Sequence, residues 1–177
     1  CYSIQYGIES GSPEILELIN KGHTLDQCRN AVRWAKEAGM ETRAFFVLGF
    51  PTETPEQSEQ TIRFACELNI DYVVFFSYYV APGTALADLA LREGRCVDFV
   101  AQNLPSYVPN TYGDPEKLRA MVQSAYRRYY LRPAYIRRAL WRLCKRPELI
   151  KNHLLGFRFW LGLLLARHRR RIEPPSD

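Results

Sequence analysis

Three short apolar runs, 4–8, 44–48 and 72–80, are each followed by a turn and a helix with its own start signal, and few folds accommodate that alternation. In the first run Ile4, Tyr6 and Ile8 share one face and Gln5, Gly7 and Glu9 the other, which is the period of a strand. The second, Ala44-Phe45-Phe46-Val47-Leu48, is continuously apolar and too short for a helix, as expected of a strand covered on both faces. Ser12-Pro13-Glu14 opens a helix over 13–20 that stops at Gly22, and Thr24 with Gln27 makes a capping box for a helix ending at Gly39. Thr54, Pro55 and Gln57 repeat the signal, and Thr84 caps a helix running to Glu93. Right-handed crossovers fold such a series into a parallel sheet. Three strands are too few to close on themselves, so a larger parallel β/α barrel is the natural completion.

The chain starts at Cys1, inside the strand expected around the first apolar run, and we expect it to be a piece of a longer protein whose N-terminal half is absent. Three sections are expected: a barrel portion over 1–94, an irregular Pro-, Asn- and Tyr-rich connection over 95–113, and a basic helical extension over 114–177. With 177 residues, 47% of them hydrophobic, the chain can bury one sizeable core. Its net charge of +5 conceals an asymmetry: ten Lys/Arg against sixteen Asp/Glu before Arg127, and fourteen against three from there on. Such a tail suits the phosphates of lipid or nucleic acid, but a solvated helix face is the more frequent explanation, and nucleic acid is not the expected partner. Segment 154–166 is apolar except for Arg158, and falls short of the roughly twenty residues a spanning helix needs. Docking on the absent part of the same protein is the preferred reading, with peripheral membrane contact through Phe157, Phe159 and Trp160 as the alternative.

Five scattered cysteines form no CxxC or CxxxCxxC, and His23, His153 and His168 have no ligand spacing, so the chain offers no metal site of its own and suits a reduced, cytoplasmic setting. Candidate chemistry gathers at 6–14, where a strand ends, turns at Gly11 and starts a helix. Glu9 leaves the strand tip beside Gly7, and Ser10, Ser12, a flexible Gly11 and free helical N–H groups stand within a few residues. Taken locally, the same features suit any strand–helix junction of an α/β protein.

Gly7-Ile8-Glu9-Ser10-Gly11-Ser12-Pro13-Glu14, then Lys21-Gly22, then Phe45-Phe46-Val47-Leu48-Gly49-Phe50-Pro51-Thr52-Glu53-Thr54, then Ala81-Pro82-Gly83-Thr84, in this order, resemble the C-terminal half of a radical S-adenosylmethionine (SAM) enzyme. The resemblance covers about half the chain and is nearest to the branch carrying an N-terminal cobalamin-binding domain. It implies an α/β fold, a partial parallel (βα) barrel of TIM type, with these as the last three βα units, followed by the helical extension. It also implies SAM bound at a [4Fe-4S] cluster whose ligands lie outside this chain, radical chemistry such as cobalamin-dependent methylation or rearrangement, and a small-molecule or lipid-like substrate. On that likeness Glu9 and Ser10 contact the ribose and methionine parts of SAM, Lys21 meets the methionine carboxylate, and Val47 and Gly49 lie against the adenine. The sequence departs from the usual Gly-x-Ile-x-Gly-x-x-Glu pattern: Phe45 replaces the first glycine, and Glu53 comes one place late. Two other classes stay open, a parallel-barrel enzyme binding phosphate at Gly11-Ser12 or Gly83-Thr84 without iron, and a noncatalytic basic module over 127–171.

Overall fold

The computed structural model describes residues 1–96 and 107–145, and the chain divides into two compact units, 1–132 and 133–177. Unit one runs β1 (Ser3–Glu9), α1 (Pro13–Leu18), α2 (Leu25–Glu37), β2 (Glu41–Leu48), α3 (Pro55–Leu68), β3 (Tyr72–Ser77), α4 (Ala85–Glu93), β4 (Gly94–Cys96), β5 (Tyr107–Pro109) and α5 (Pro115–Tyr130). The described part of unit two is α6 (Pro133–Lys145).

β1, β2 and β3 form one parallel sheet in that order, with Ser3 opposite Glu41 and Arg43 opposite Tyr72. Ile8, Ala44, Phe46, Leu48, Val73 and Phe75 are buried on one face, where α2 and α3 pack on β2 and α5 packs on β3. The Phe46 and Phe75 rings stack at 5.6 Å across that face. Each such side chain contributes about 1.5–3 kcal/mol by leaving water. The opposite face carries Gly7, Phe45, Val47, Val74 and Phe76, all half-buried or exposed, so β2 alternates between a helix layer and an open face and is not covered on both.

The expected start signals hold. Ser12 caps α1 with Pro13 next, and Thr24–Gln27 and Thr54–Gln57 form reciprocal capping boxes on α2 and α3. α1 stops at Leu18, earlier than expected, because Asn20 takes the left-handed conformation (φ 50°) ahead of Gly22. β3 likewise ends at Ser77: Tyr78 donates its N–H to the Leu48 carbonyl (2.8 Å), after which the chain leaves the sheet.

The largest difference concerns the third βα unit. The Thr84-capped helix α4 does not cover β3; α5 does, and it also packs on α3. The Tyr126 and Tyr130 hydroxyls bond the backbone of Phe75 and Val73, and the Tyr129 hydroxyl donates to the Ile70 carbonyl. Arg128 pairs with Glu59 (2.5 Å), and Arg132 stacks over Tyr129 (4.1 Å) and donates to the Cys66 carbonyl. α5 therefore belongs to the compact unit ending at Arg132, not to an extension starting at residue 114, and the first basic residues of the tail tie helices together. The expected irregular connection contains β4 and β5, paired antiparallel, with 97–106 outside the described residues. Ile15, Phe50, Tyr78, Ala90 and Tyr107 form a satellite core, so α4 and the β4–β5 pair are stacked at the end of the sheet where β1–β3 finish. Segment 154–166 also lies outside the described residues.

Candidate functional site

β1 pairs regularly with β2 up to Gly7 opposite Phe45, then bulges, so that Glu9 rather than Ile8 faces Phe46. The Ser10 N–H donates to the Ile8 carbonyl (2.9 Å), and Glu9 adopts φ 68°. A left-handed conformation costs a non-glycine residue about 1–2 kcal/mol and is typically retained where it aims a side chain. Here it turns the Glu9 carboxylate back over Gly7. A Cβ at Gly7 would lie 2.7 Å from Glu9 Oε1 and 3.3 Å from Lys21 Nζ, so the glycine makes the cradle.

Lys21 reaches the same spot because the turn after α1 folds back, with the Lys21 N–H donating to the Leu16 carbonyl (3.0 Å). Lys21 Nζ donates to Glu9 Oε1 at 2.9 Å, and the two side chains keep 33% and 23% of their surface exposed. A pair that wet contributes at most about 1 kcal/mol, so a ligand offering both a carboxylate and hydroxyls replaces it at little cost. The structure thus joins Glu9 and Lys21, twelve residues apart in sequence, into one polar site at the tip of β1.

Ser10 is placed differently. It is fully buried, with its hydroxyl 3.1 Å from Thr61 Oγ1 on α3 and accepting the Ser12 N–H at 3.1 Å. Its side chain is a link between the β1–α1 turn and α3, because the twist at Glu9 sends the next side chain under the sheet tip, and the Ser10 hydroxyl is engaged there. Gly11 is a packing position and not a flexible one: an added Cβ would lie 2.7 Å from Thr61 Cα and Phe64 Cβ. Its N–H donates to Thr61 Oγ1 (2.9 Å), and Ser12 Oγ accepts from Ile15 N and donates to Glu14, so the phosphate site considered at Gly11-Ser12 has its groups already engaged.

Val47 is half-buried on the open face, opposite Phe76 in the register and beside Phe45, whose ring lies 6.0 Å from that of Phe76. Gly49 takes φ 80°, and a Cβ there would fall 2.6 Å from a Leu118 methyl on α5. Along 75–79, Phe75 and Tyr78 are buried while Phe76 and Tyr79 are exposed.

Glu53, which the displaced motif left without a role, is fully buried below this turn. It accepts the Phe50 N–H (2.8 Å) and the Ser58 hydroxyl (2.8 Å), while Thr111 Oγ1 donates to its backbone carbonyl. Burial raises its carboxyl to about 7, against the lowering effect of those hydrogen bonds. Sequence signals it only by an acidic residue directly before the Thr54 cap. A cleft of about 540 Å³ runs along α1 and the start of α2, lined by Leu16, Glu17, Asn20, His23 and Asp26; Glu9 does not line it, and the site described here is the open tip instead. Among the described residues no three His, Cys, Asp or Glu side chains come together to hold a metal ion, so the chain's described residues offer no thiolate set for an iron–sulfur cluster. The tip fits SAM better: a carboxylate that accepts hydrogen bonds, a cation and a glycine cradle stand together.

Residues 2–65 match the radical SAM superfamily. The chain is 37% identical over 136 residues to a protein of Pyrococcus horikoshii described as an uncharacterised methyltransferase, covering 75% of this chain and 30% of that one. It is 34% identical over 98 residues to the tRNA-2-methylthio-N(6)-dimethylallyladenosine synthase of Baumannia cicadellinicola, covering 54% and 20%. In fold it resembles coproporphyrinogen III oxidase from Escherichia coli, described as a radical SAM enzyme, with a TM-score of 0.53 at 17% identity over 73% of this chain and 26% of that one. The chain spans less than a third of the length of each of these proteins.

Proposed function

Because the chain belongs to the radical SAM superfamily, a family of enzymes with a partial (βα) barrel, we propose that it supplies the SAM-holding second half of such a barrel. The observation that carries this is the Glu9–Lys21 pair cradled over Gly7 at the strand tips, within the matched segment. Glu9 would accept the two ribose hydroxyls, since a carboxylate offers paired acceptors, and Lys21 would meet the methionine carboxylate. Val47 and the Gly49 turn would take the adenine, with Glu53 holding that turn from beneath. When bound at a reduced [4Fe-4S] cluster, SAM supplies a 5′-deoxyadenosyl radical that abstracts hydrogen from substrate. The cluster ligands would come from the rest of the protein, and cobalamin, if the protein uses it, from a further domain.

Phe45, Val47, Val74 and Phe76 make the open face apolar, which suits a small-molecule or lipid-like substrate presenting a carbon skeleton. Methyl transfer is the reaction class we favour, since two of the relatives carry methyl- or methylthio-transfer names. The test is anaerobic iron–sulfide reconstitution of the full-length protein, followed by assay for 5′-deoxyadenosine with a strong reductant. We expect SAM cleavage there and no stoichiometric cluster in the 177-residue chain alone. A reconstituted full-length protein that neither binds nor cleaves SAM would overturn the proposal.

A further inference from the structure

The turn after β2 contains two left-handed residues, Gly49 (φ 80°) and Thr52 (φ 65°). That conformation suits glycine but costs Thr52 about 1–2 kcal/mol, so the turn has to be held closed. Phe50 and Glu53 hold it from both directions: the Glu53 N–H donates to the Phe50 carbonyl (3.0 Å), and the Phe50 N–H donates to Glu53 Oε2 (2.8 Å). Ser58 on α3 donates to the other carboxyl oxygen (2.8 Å), and Thr111 donates to the Glu53 backbone carbonyl.

Glu53 is fully buried, and among the described residues no cation pairs with it. Its surroundings are the Ser58 hydroxyl and the exposed Glu56 from α3, Thr111 and the buried Tyr112 phenol from the connection after β5, and Leu118 of α5 against Gly49. Burial pushes the Tyr112 phenol up, and Glu53 and Glu56 add to that rise, so a negative charge is poorly received here. For Glu53 itself burial outweighs the Phe50, Ser58 and Gly49 donors and lifts the carboxyl to about 7. Water is close by, since Thr52 and Thr111 are exposed.

We propose that Glu53 is a positioning residue for SAM: its neutral form keeps the Gly49–Thr52 turn shaped for adenine, and loss of its proton loosens that turn. The proposal rests on the SAM reading above for its ligand and adds a proton to the binding step. An ionised Glu53 has no counter-charge, and opening of the strained turn toward water relieves it. An adenine held by Val47 and Gly49 needs the closed turn, so SAM binds the neutral form more tightly and draws a proton from solvent onto Glu53. The Glu53 contribution to affinity is therefore complete at low pH and is lost as pH rises through about 7.

The test uses the full-length protein with its cluster reconstituted, in parent and Glu53→Gln forms, from about pH 6 to 8.5. Gln keeps an acceptor for the Phe50 N–H but does not ionise. The amine of SAM titrates in the same range and acts on both proteins alike, so the difference between their equilibrium-binding profiles isolates Glu53. We expect the parent to lose about tenfold more SAM affinity than the variant across this range, which corresponds to SAM raising the carboxyl by about one pH unit. Hydrogen–deuterium exchange of residues 49–53 without SAM is the second readout. The ratio of parent to variant exchange rates should rise several-fold over the same range, whereas a glutamate that is merely structural gives a constant ratio. Should Glu53→Gln not fold, infrared difference spectra of the parent at pH about 7.5 replace it: SAM should increase the protonated-carboxyl band, and no increase overturns the proposal. Parallel affinity profiles, or an exchange ratio indifferent to pH, overturn it as well. Absence of SAM binding in both proteins overturns the SAM reading and the ligand named here together, and the exchange ratio distinguishes that outcome from failure of the Glu53 step.

Discussion

Tyr126 completes the hydrogen bonding of Phe75: its hydroxyl accepts the Phe75 N–H and donates to the Phe75 carbonyl, each at 3.1 Å. Two residues earlier Tyr130 does the same for Val73, at 3.0 and 2.7 Å. β2 lies on one side of β3, and these two phenols occupy the side where another strand would otherwise pair. The sheet is sealed at β3, and of its three described strands β1 keeps the edge onto which it can grow.

That sealing has a measurable cost of removal. Tyr126→Phe with Tyr130→Phe leaves part-buried backbone groups of Phe75 and Val73 without partners, at about 1–3 kcal/mol for each site. Chemical denaturation should show the double variant less stable by a few kcal/mol, with α5 still helical. A midpoint equal to that of the parent would mean that the phenols are replaced by water without loss.

Glu53 predicts how stability depends on pH. Its carboxyl is raised from an ordinary value to about 7 when folded, so the folded chain holds a proton that the unfolded chain has lost. The stabilisation is full below the unfolded value and disappears as pH rises through about 7, a change of roughly 3 kcal/mol. Glu53→Gln keeps a neutral group in place and should flatten the stability profile between pH 5 and 8. Parallel profiles for the two proteins would contradict this.

Gly49 and Gly83 have the same backbone conformation, φ 80° and 81°, but different surroundings. A Cβ at Gly83 meets nothing within 4 Å, while one at Gly49 runs into Leu118 at 2.6 Å. Gly83→Ala should therefore cost about 1 kcal/mol, from the left-handed conformation alone. Gly49→Ala should cost a further 1–3 kcal/mol from overpacking, recovered in part by Leu118→Val. Equal losses at the two sites would show that the α5 contact does not constrain the turn.

Local signals were legible in the sequence wherever one residue satisfies its own neighbours. Ser12, Thr24, Thr54 and Thr84 all cap the helices expected of them, and Ile4, Tyr6 and Ile8 share a face as their alternation requires. Nonlocal choices were not. α4 has as good a start signal as α5, and only the phenols of Tyr126 and Tyr130, some fifty residues beyond β3, decide which helix covers the strand. The site shows the same division. The turn after Glu9 was legible, but the bulge of one residue that precedes the Glu9–Lys21 pair and the seating of the Ser10 hydroxyl on Thr61 was not, because alternation alone does not reveal a bulge.

The most direct measurement is therefore SAM affinity in the full-length protein with its cluster reconstituted, compared for Glu9→Ala and Ser10→Ala. Losing a charged hydrogen-bond partner costs about 1.5–3 kcal/mol, so Glu9→Ala should weaken SAM binding about tenfold or more while iron and sulfide content stay unchanged. Ser10→Ala should lower stability by loosening the contact with Thr61 and leave SAM affinity as it was. Unchanged affinity in Glu9→Ala, with the cluster intact, would contradict the account and remove the Glu9–Lys21 pair from the SAM site.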